Sequence, residues 1–264
     1  MRDLADAAPL HRTDTLRVAR HTLTLGSAPA GISRRTLLIG SLALAAAVAA
    51  VLAIVFALGS NGSTPAATAT VTGAASVNTL LHGIPQHGTT LGSSKAPVTL
   101  VEFADPQCPY CATWARDALP DVVTRYVRPG KVQLVFMGMS FLGADSVTAL
   151  RTALAAGRQD KFWNVLELLY ANQGTENAGW VTAPLLRSIG AAVPGLDTDR
   201  MLADRESPAV DRMVAQADSV ARSAGVNSTP TFAVGRTGGQ LRLIRVESLT
   251  PSAIESELDA ALKR

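Results

Sequence analysis

The feature that most constrains the fold is the run at residues 98–111, VTLVEFADPQCPYC. Val98, Leu100, Val101 and Phe103 read as a short apolar strand of the buried kind. Pro106 and Gln107 end it, and a helical pattern opens at Cys108, with Pro109 just inside, where a missing N–H costs nothing. Cys108 and Cys111 therefore stand where a strand gives way to a helix. A helix N-terminus carries unpaired N–H groups and roughly +0.5 of a charge, which favours an anion such as a thiolate. Cysteines of Cys-X-X-Cys motifs titrate there between about 3.5 and 7.5, against about 8.5 for a free thiol. Cys111 follows about one helical turn later, on the same face and within disulfide reach. Cys108 is the candidate nucleophile, expected to be solvent-accessible, and Cys111 the shielded resolving thiol.

Taken alone, the pair also fits a short-loop structural disulfide or half of a zinc site. A zinc site needs four ligands. His82 and His87 could formally complete one, but there is no second Cys-X-X-Cys in the chain and both histidines read as surface residues. No metal is expected. Haem attachment is excluded because Ala112, not histidine, follows Cys111.

Three further features accompany the motif. Glu102 lies six residues before Cys108, an acid inside an otherwise apolar strand. The tetrapeptide Thr229-Pro230-Thr231-Phe232 opens a later strand, and residues 155–174 contain Gln159, Phe162 and Trp163. With these features, the chain from about residue 84 to its end resembles the DsbA-like thiol-disulfide oxidoreductases of the thioredoxin superfamily. The resemblance implies an α/β thioredoxin-like fold with an inserted helical subdomain. It also implies that Glu102 is a buried acid and that Thr229-Pro230 is a cis bond packed against the disulfide. Substrate would meet Thr229, Pro230, Pro109 and Tyr110. No cofactor is implied beyond the redox-active Cys108–Cys111 disulfide.

One position departs from the family pattern. DsbA-type enzymes commonly carry a histidine where this chain has Tyr110, and tyrosine cannot supply its positive charge. That bears on oxidising strength, so a reductase or isomerase direction stays open beside the oxidase one. A non-catalytic binding module with a structural disulfide is the competitor from another class. Independently of family, burial of Glu102 in its strand would raise its pKa and suit it to proton transfer near neutrality.

Residues 1–35 are polar, with six Arg and three Asp, and are expected to be a cytoplasmic tail. Residues 60–264 carry equal numbers of basic and acidic side chains, so the pI near 9.1 reflects the tail alone and leaves no nucleic-acid footprint. Residues 37–58 are 22 consecutive uncharged, mostly apolar positions. A helix of that length spans about 33 Å, enough for a hydrocarbon core of about 30 Å, whereas a cleavable signal has an apolar region of only about 7–15 residues. A single-pass signal anchor at residues 36–59 is expected. Arg34 and Arg35 before it place the tail inside and the rest outside. The same arginines loosely resemble a twin-arginine export signal.

Residues 60–80, rich in Ser, Thr, Ala and Gly, read as a flexible linker, and residues 81–264 as the thioredoxin-like domain. Within it the pattern predicts a hairpin near residues 83–92, the strand at 98, and a helix over 108–127 kinked by Pro120. A second buried strand follows at 132–137, then a helical insertion over about 143–225 begun by an Asp145 cap. Leu150, Leu154, Trp163, Leu166 and Leu169 read as its core. Strands at 231–234 and 241–246, and a helix from Thr250-Pro251, complete the domain. The implied partners are exported proteins with free thiols or disulfides, a membrane redox partner that resets the disulfide, and the membrane through one helix.

Overall fold

The computed structural model describes residues 48, 69–246 and 248–264. The expected tail, anchor and first half of the linker lie outside these residues apart from Val48. Among the described residues no helix is long and apolar enough to cross a membrane.

Helix α1 spans Ala74–Leu81, inside the stretch expected as linker. The correction has a simple cause: Val77 and Leu81, four residues apart on one helical face, are buried in the core. Just before α1, the Ala69 N–H donates to Ser188 Oγ at 3.0 Å and the Thr72 N–H to Asn172 Oδ1 at 2.8 Å. Residues from 69 onward are therefore part of the domain.

The predicted hairpin forms as β1 (Gln86–His87) and β2 (Thr90–Leu91). The long strand β3 is Val98–Ala104, buried at every position. Helix α2 runs Pro109–Asp117 with Cys108 as its N-cap. The helix breaks at Ala118 (φ −123°) and resumes as α3, Leu119–Val122, continued by a π-helical turn over Val123–Val127. Pro120 is the cause, because its ring cannot donate to the carbonyl of residue 116. Strand β4 is Val132–Gly138. Five helices follow: α4 (Ala144–Gly157), α5 (Phe162–Ala171), α6 (Ala183–Ala191), α7 (Thr198–Asp204) and α8 (Pro208–Ser223). Gly225, at φ +69°, ends the insertion in a conformation that favours glycine. Strands β5 (Thr231–Arg236) and β6 (Arg242–Ile244) and helix α9 (Pro251–Leu262) complete the chain.

The six strands form one sheet in the order β1-β2-β4-β3-β5-β6, with β3 and β4 parallel and all other pairs antiparallel. β3 thus lies in the middle and is hydrogen-bonded on both edges. Its side chains alternate. Leu100 and Ala104 join the large core under α2, α5 and α9, whereas Val101 and Phe103 join Ala221 of α8 and Val226 in a smaller cluster on the opposite face. Glu102 shares the parity of Leu100 and Ala104, so the pleat directs it beneath α2.

Candidate active site

The turn between β3 and α2 is held from both ends. Asp105 Oδ1 accepts from the Gln107 N–H at 2.8 Å, and the Asp105 carbonyl accepts from the Cys108 N–H at 3.0 Å. The helical insertion clamps the same turn from above. Gln173 Nε2 donates to the Pro106 carbonyl at 3.0 Å, Gln107 Nε2 donates to Ser146 Oγ at 3.1 Å, and Gln107 Oε1 accepts from the Asn177 N–H at 2.5 Å. Sequence reasoning missed these clamps, since nothing in the local pattern tells that residues 146, 173 and 177 return to residue 107. Asp145 is a related correction. It sits in the first turn of α4 without capping it, and its Oδ2 accepts from the N–H groups of Gly179 and Trp180 at 2.9 and 3.1 Å.

Both cysteines are free thiols. Cys108 is only 4% exposed and Cys111 fully buried, so Cys108 is far less accessible than expected for a helix end. The loop before β5 covers it: the Cys108 thiol lies 3.5 Å from the Thr229 carbonyl, to which it donates, and Thr229-Pro230 is the one cis bond among the described residues. Pro109 and Tyr110 are exposed, Tyr110 to 67%, beside the buried sulfur.

The two thiols differ sharply in acidity. A hydrogen bond from the Cys111 thiol is the largest influence lowering Cys108 to about 6; burial opposes it, while the Thr229 side chain and the N–H groups of Cys111 and Tyr110 assist. The bond from the Cys108 thiol to the Thr229 carbonyl favours the protonated form and is given up on ionisation. Burial, above all, pushes Cys111 far up, and its donation to Cys108 adds to the rise.

Glu102 is 1% exposed. Burial raises its pKa from 4.5 to about 8, the Trp114 indole offsets part of the rise, and the Cys108 charge adds to it. Glu102 Oε1 and Trp114 Nε1 both lack a partner at hydrogen-bond distance. Trp114 is held edge-on to Phe232 with ring centroids 4.7 Å apart.

Two titratable groups near Glu102 were not singled out from the sequence. Glu167, on α5, is 6% exposed, and burial and the Glu102 charge raise its pKa well above the usual range. Tyr170 donates to the Asp105 carbonyl at 3.4 Å, and burial raises its pKa. The signal for Glu167 was present, an acid in the apolar run FWNVLELLY, as for Glu102 in its strand.

The other quoted residues take structural places. Phe162 and Trp163 are buried against Phe136. Gln159 pairs with the backbone of Asp197 through both amide atoms, at 3.0 and 3.1 Å. His82 ends α1 and His87 lies exposed on the edge strand β1. Among the described residues no three His, Cys, Asp or Glu side chains gather as metal ligands.

A thioredoxin family model matches residues 86–250. The probable disulfide bond formation protein D of Bacillus cereus is 35% identical over 147 residues, covering 54% of this chain and 68% of that protein. Its Bacillus anthracis counterpart is 33% identical over 171 residues, covering 64% and 77%. Among solved structures, oxidised BdbD from Bacillus subtilis superposes with a TM-score of 0.59 at 23% identity, covering 69% of this chain and 98% of that one. A thioredoxin-like oxidoreductase from Silicibacter pomeroyi superposes with a TM-score of 0.52 at 30% identity, covering 71% and 98%.

Proposed function

This chain belongs to the DsbA-like thiol-disulfide oxidoreductases of the thioredoxin superfamily, and from that membership we propose that it is a membrane-anchored oxidase working outside the cytoplasm. It passes the Cys108–Cys111 disulfide to thiols of exported proteins. The observation that carries this reading is the asymmetry of the pair, with Cys108 lowered to about 6 and Cys111 pushed far up one helical turn away. A substrate thiolate attacks Cys108 Sγ, a mixed disulfide forms, and the electron pair of the broken S–S bond stays on Cys111. A second substrate thiolate then attacks the substrate sulfur of that mixed disulfide, which releases Cys108 as its stabilised thiolate. A thiolate favoured in this way stabilises the reduced enzyme and makes the oxidised enzyme the stronger oxidant.

Tyr110 supplies no cationic charge, yet the Cys111 thiol, the Thr229 side chain and two backbone N–H groups all favour the Cys108 thiolate. That supports the oxidase direction over the reductase or isomerase one. The exposed Pro109 and Tyr110 and the backbone at Thr229 form the surface on which an extended substrate lies, as an added strand. Glu102 exchanges a proton with Cys111 as its charge changes. Anchoring rests on the uncharged residues 37–58 with Arg34-Arg35 before them, and a membrane redox partner would restore the disulfide.

Two measurements test the proposal. In cells, Cys111→Ser accumulates mixed disulfides with exported proteins on non-reducing gels, and Cys108→Ser accumulates none. The reduction potential of the domain lies well above that of a thioredoxin, about −270 mV. A potential at or below that value would overturn the oxidase direction. Adducts in neither variant would leave a structural disulfide.

A further inference from the structure

Glu102 poses a problem of access. It is buried in the central strand with Oε1 unpartnered, below a helix whose exposed end is closed by the Thr229 loop. A carboxyl that exchanges protons with Cys111 must also exchange them with water, and on the active-site face Cys108 itself is only 4% exposed beneath the Thr229 loop.

The opposite flank of α2 does. α1, α2 and α5 pack around a groove of about 770 Å³, lined by Ala75 and Leu80 from α1, Ala112 and Arg116 from α2, and Glu167 and Tyr170 from α5. Glu167 therefore borders the groove on one side, and on the other it feels the charge of Glu102. The remaining charged or titratable groups around it are accounted for. Arg116 is exposed and forms a bidentate pair with Asp117 at 2.8 and 3.0 Å. Tyr170 donates to the Asp105 carbonyl, and α1 carries no titratable side chain. On α4 and α6, which also pack against α5, Asp145 accepts from the Gly179 and Trp180 N–H groups, Arg151 pairs with Asp211, and Arg187 pairs with Asp199.

We propose that Glu167 is the outlet of a proton path running from Cys111 through Glu102 and Glu167 to water in the α1–α2–α5 groove. The proposal rests on the oxidoreductase reading and deepens it. When a substrate thiolate opens the disulfide, the new S–S bond forms on Cys108 and the electron pair stays on Cys111. Cys111 then takes a proton from Glu102, Glu102 is replenished by Glu167, and Glu167 by groove water. When Cys111 later attacks a mixed disulfide on Cys108, its proton leaves along the same path in reverse. Two neighbouring buried carboxyls resist being ionised together, so the pair holds one proton ready to move in either direction. Glu167 acts through Glu102 and is a positioning residue, not a catalytic one.

The test uses oxidised glutathione as probe and resolves two steps by rapid quench: formation of the glutathione adduct on Cys108, and its resolution by Cys111, from pH 5 to 9. Direct general acid–base groups contribute about 10²–10⁴-fold, and Glu167→Gln, one step removed, is expected to slow resolution about tenfold. It also moves the breakpoint of that step to lower pH, because Glu102 loses a repelling neighbour. Glu167→Asp restores the breakpoint. Glu102→Gln/Glu167→Gln resolves no more slowly than Glu102→Gln alone, since the two groups serve one path. Ala75→Phe adds bulk at the α1 wall of the groove while leaving both carboxyls in place, and is expected to slow resolution while leaving adduct formation unchanged.

An unchanged rate and breakpoint in Glu167→Gln, or independent losses that multiply in the double variant, overturns the relay. Should Glu167→Gln fail to fold by near-ultraviolet circular dichroism, an unaffected Ala75→Phe overturns it alone. A wild-type protein that forms no glutathione adduct overturns the oxidoreductase reading and the relay together, whereas adducts that resolve equally in all variants overturn the relay only.

Discussion

Replacing Glu102 with glutamine exposes the energetic cost of the buried carboxyl. Its pKa rises from 4.5 to about 8 in the folded protein, so the folded state holds the proton over a range where the unfolded state has lost it. Stability contributed by this proton is fully present below pH 4.5 and is lost as pH rises through 8. At about 1.4 kcal/mol per unit, the loss over that window amounts to about 5 kcal/mol, of which about 3 kcal/mol has gone by pH 7. Glutamine is close in shape to the protonated acid and does not titrate. Its extra N–H lacks a partner beside Oε1, so Glu102→Gln starts at low pH about 1–3 kcal/mol less stable than wild type. The two curves then converge and cross, because only wild type loses stability with rising pH. Urea unfolding of both proteins in reductant, at half-unit steps from pH 4.5 to 8.5, reads the difference directly. A stability difference that stays flat across the window, or grows in favour of wild type, refutes a raised carboxyl at this position.

Thiolate absorbance of the reduced domain should titrate with a midpoint of about 6 from Cys108 alone, and iodoacetamide below pH 7 should label Cys108 well before Cys111. Equal labelling would contradict the asymmetry. Trp114→Ala removes a fully buried side chain stacked edge-on to Phe232 and should cost about 3–5 kcal/mol in urea unfolding. Gln107→Ala leaves the Asn177 N–H without its acceptor and should cost about 1–3 kcal/mol, with faster amide exchange at residues 105–108 as the local signature. A reporter fused after Arg264 should be active only outside the cytoplasm; its release into the soluble fraction after cleavage between residues 59 and 75 would point to a removed signal instead.

Much of this site is legible in the chain because its information is local. A β-branched run, Pro106, and Cys-Pro-Tyr-Cys specify a strand, a stop and a helix N-terminus within fourteen residues, and period-two alternation decides that Glu102 turns to the same face as Leu100 and Ala104. Gly225 and the Thr250-Pro251 pair mark element ends by backbone chemistry that needs no distant partner. The helix at Ala74–Leu81 escaped this reading because its Ser, Thr and Ala composition is that of a linker, and only burial of Val77 and Leu81 makes it part of the domain.

What depends on distant segments could be settled only by tertiary packing. The low exposure of Cys108 comes from a loop 121 residues away, and the clamps on its turn come from residues 146, 173 and 177. Glu167 is an acid in an apolar helix by sequence. Its place on the α1–α2–α5 groove, within reach of the Glu102 charge, arises from three helices packing together, because desolvation and charge coupling depend on distances through space and not on spacing along the chain.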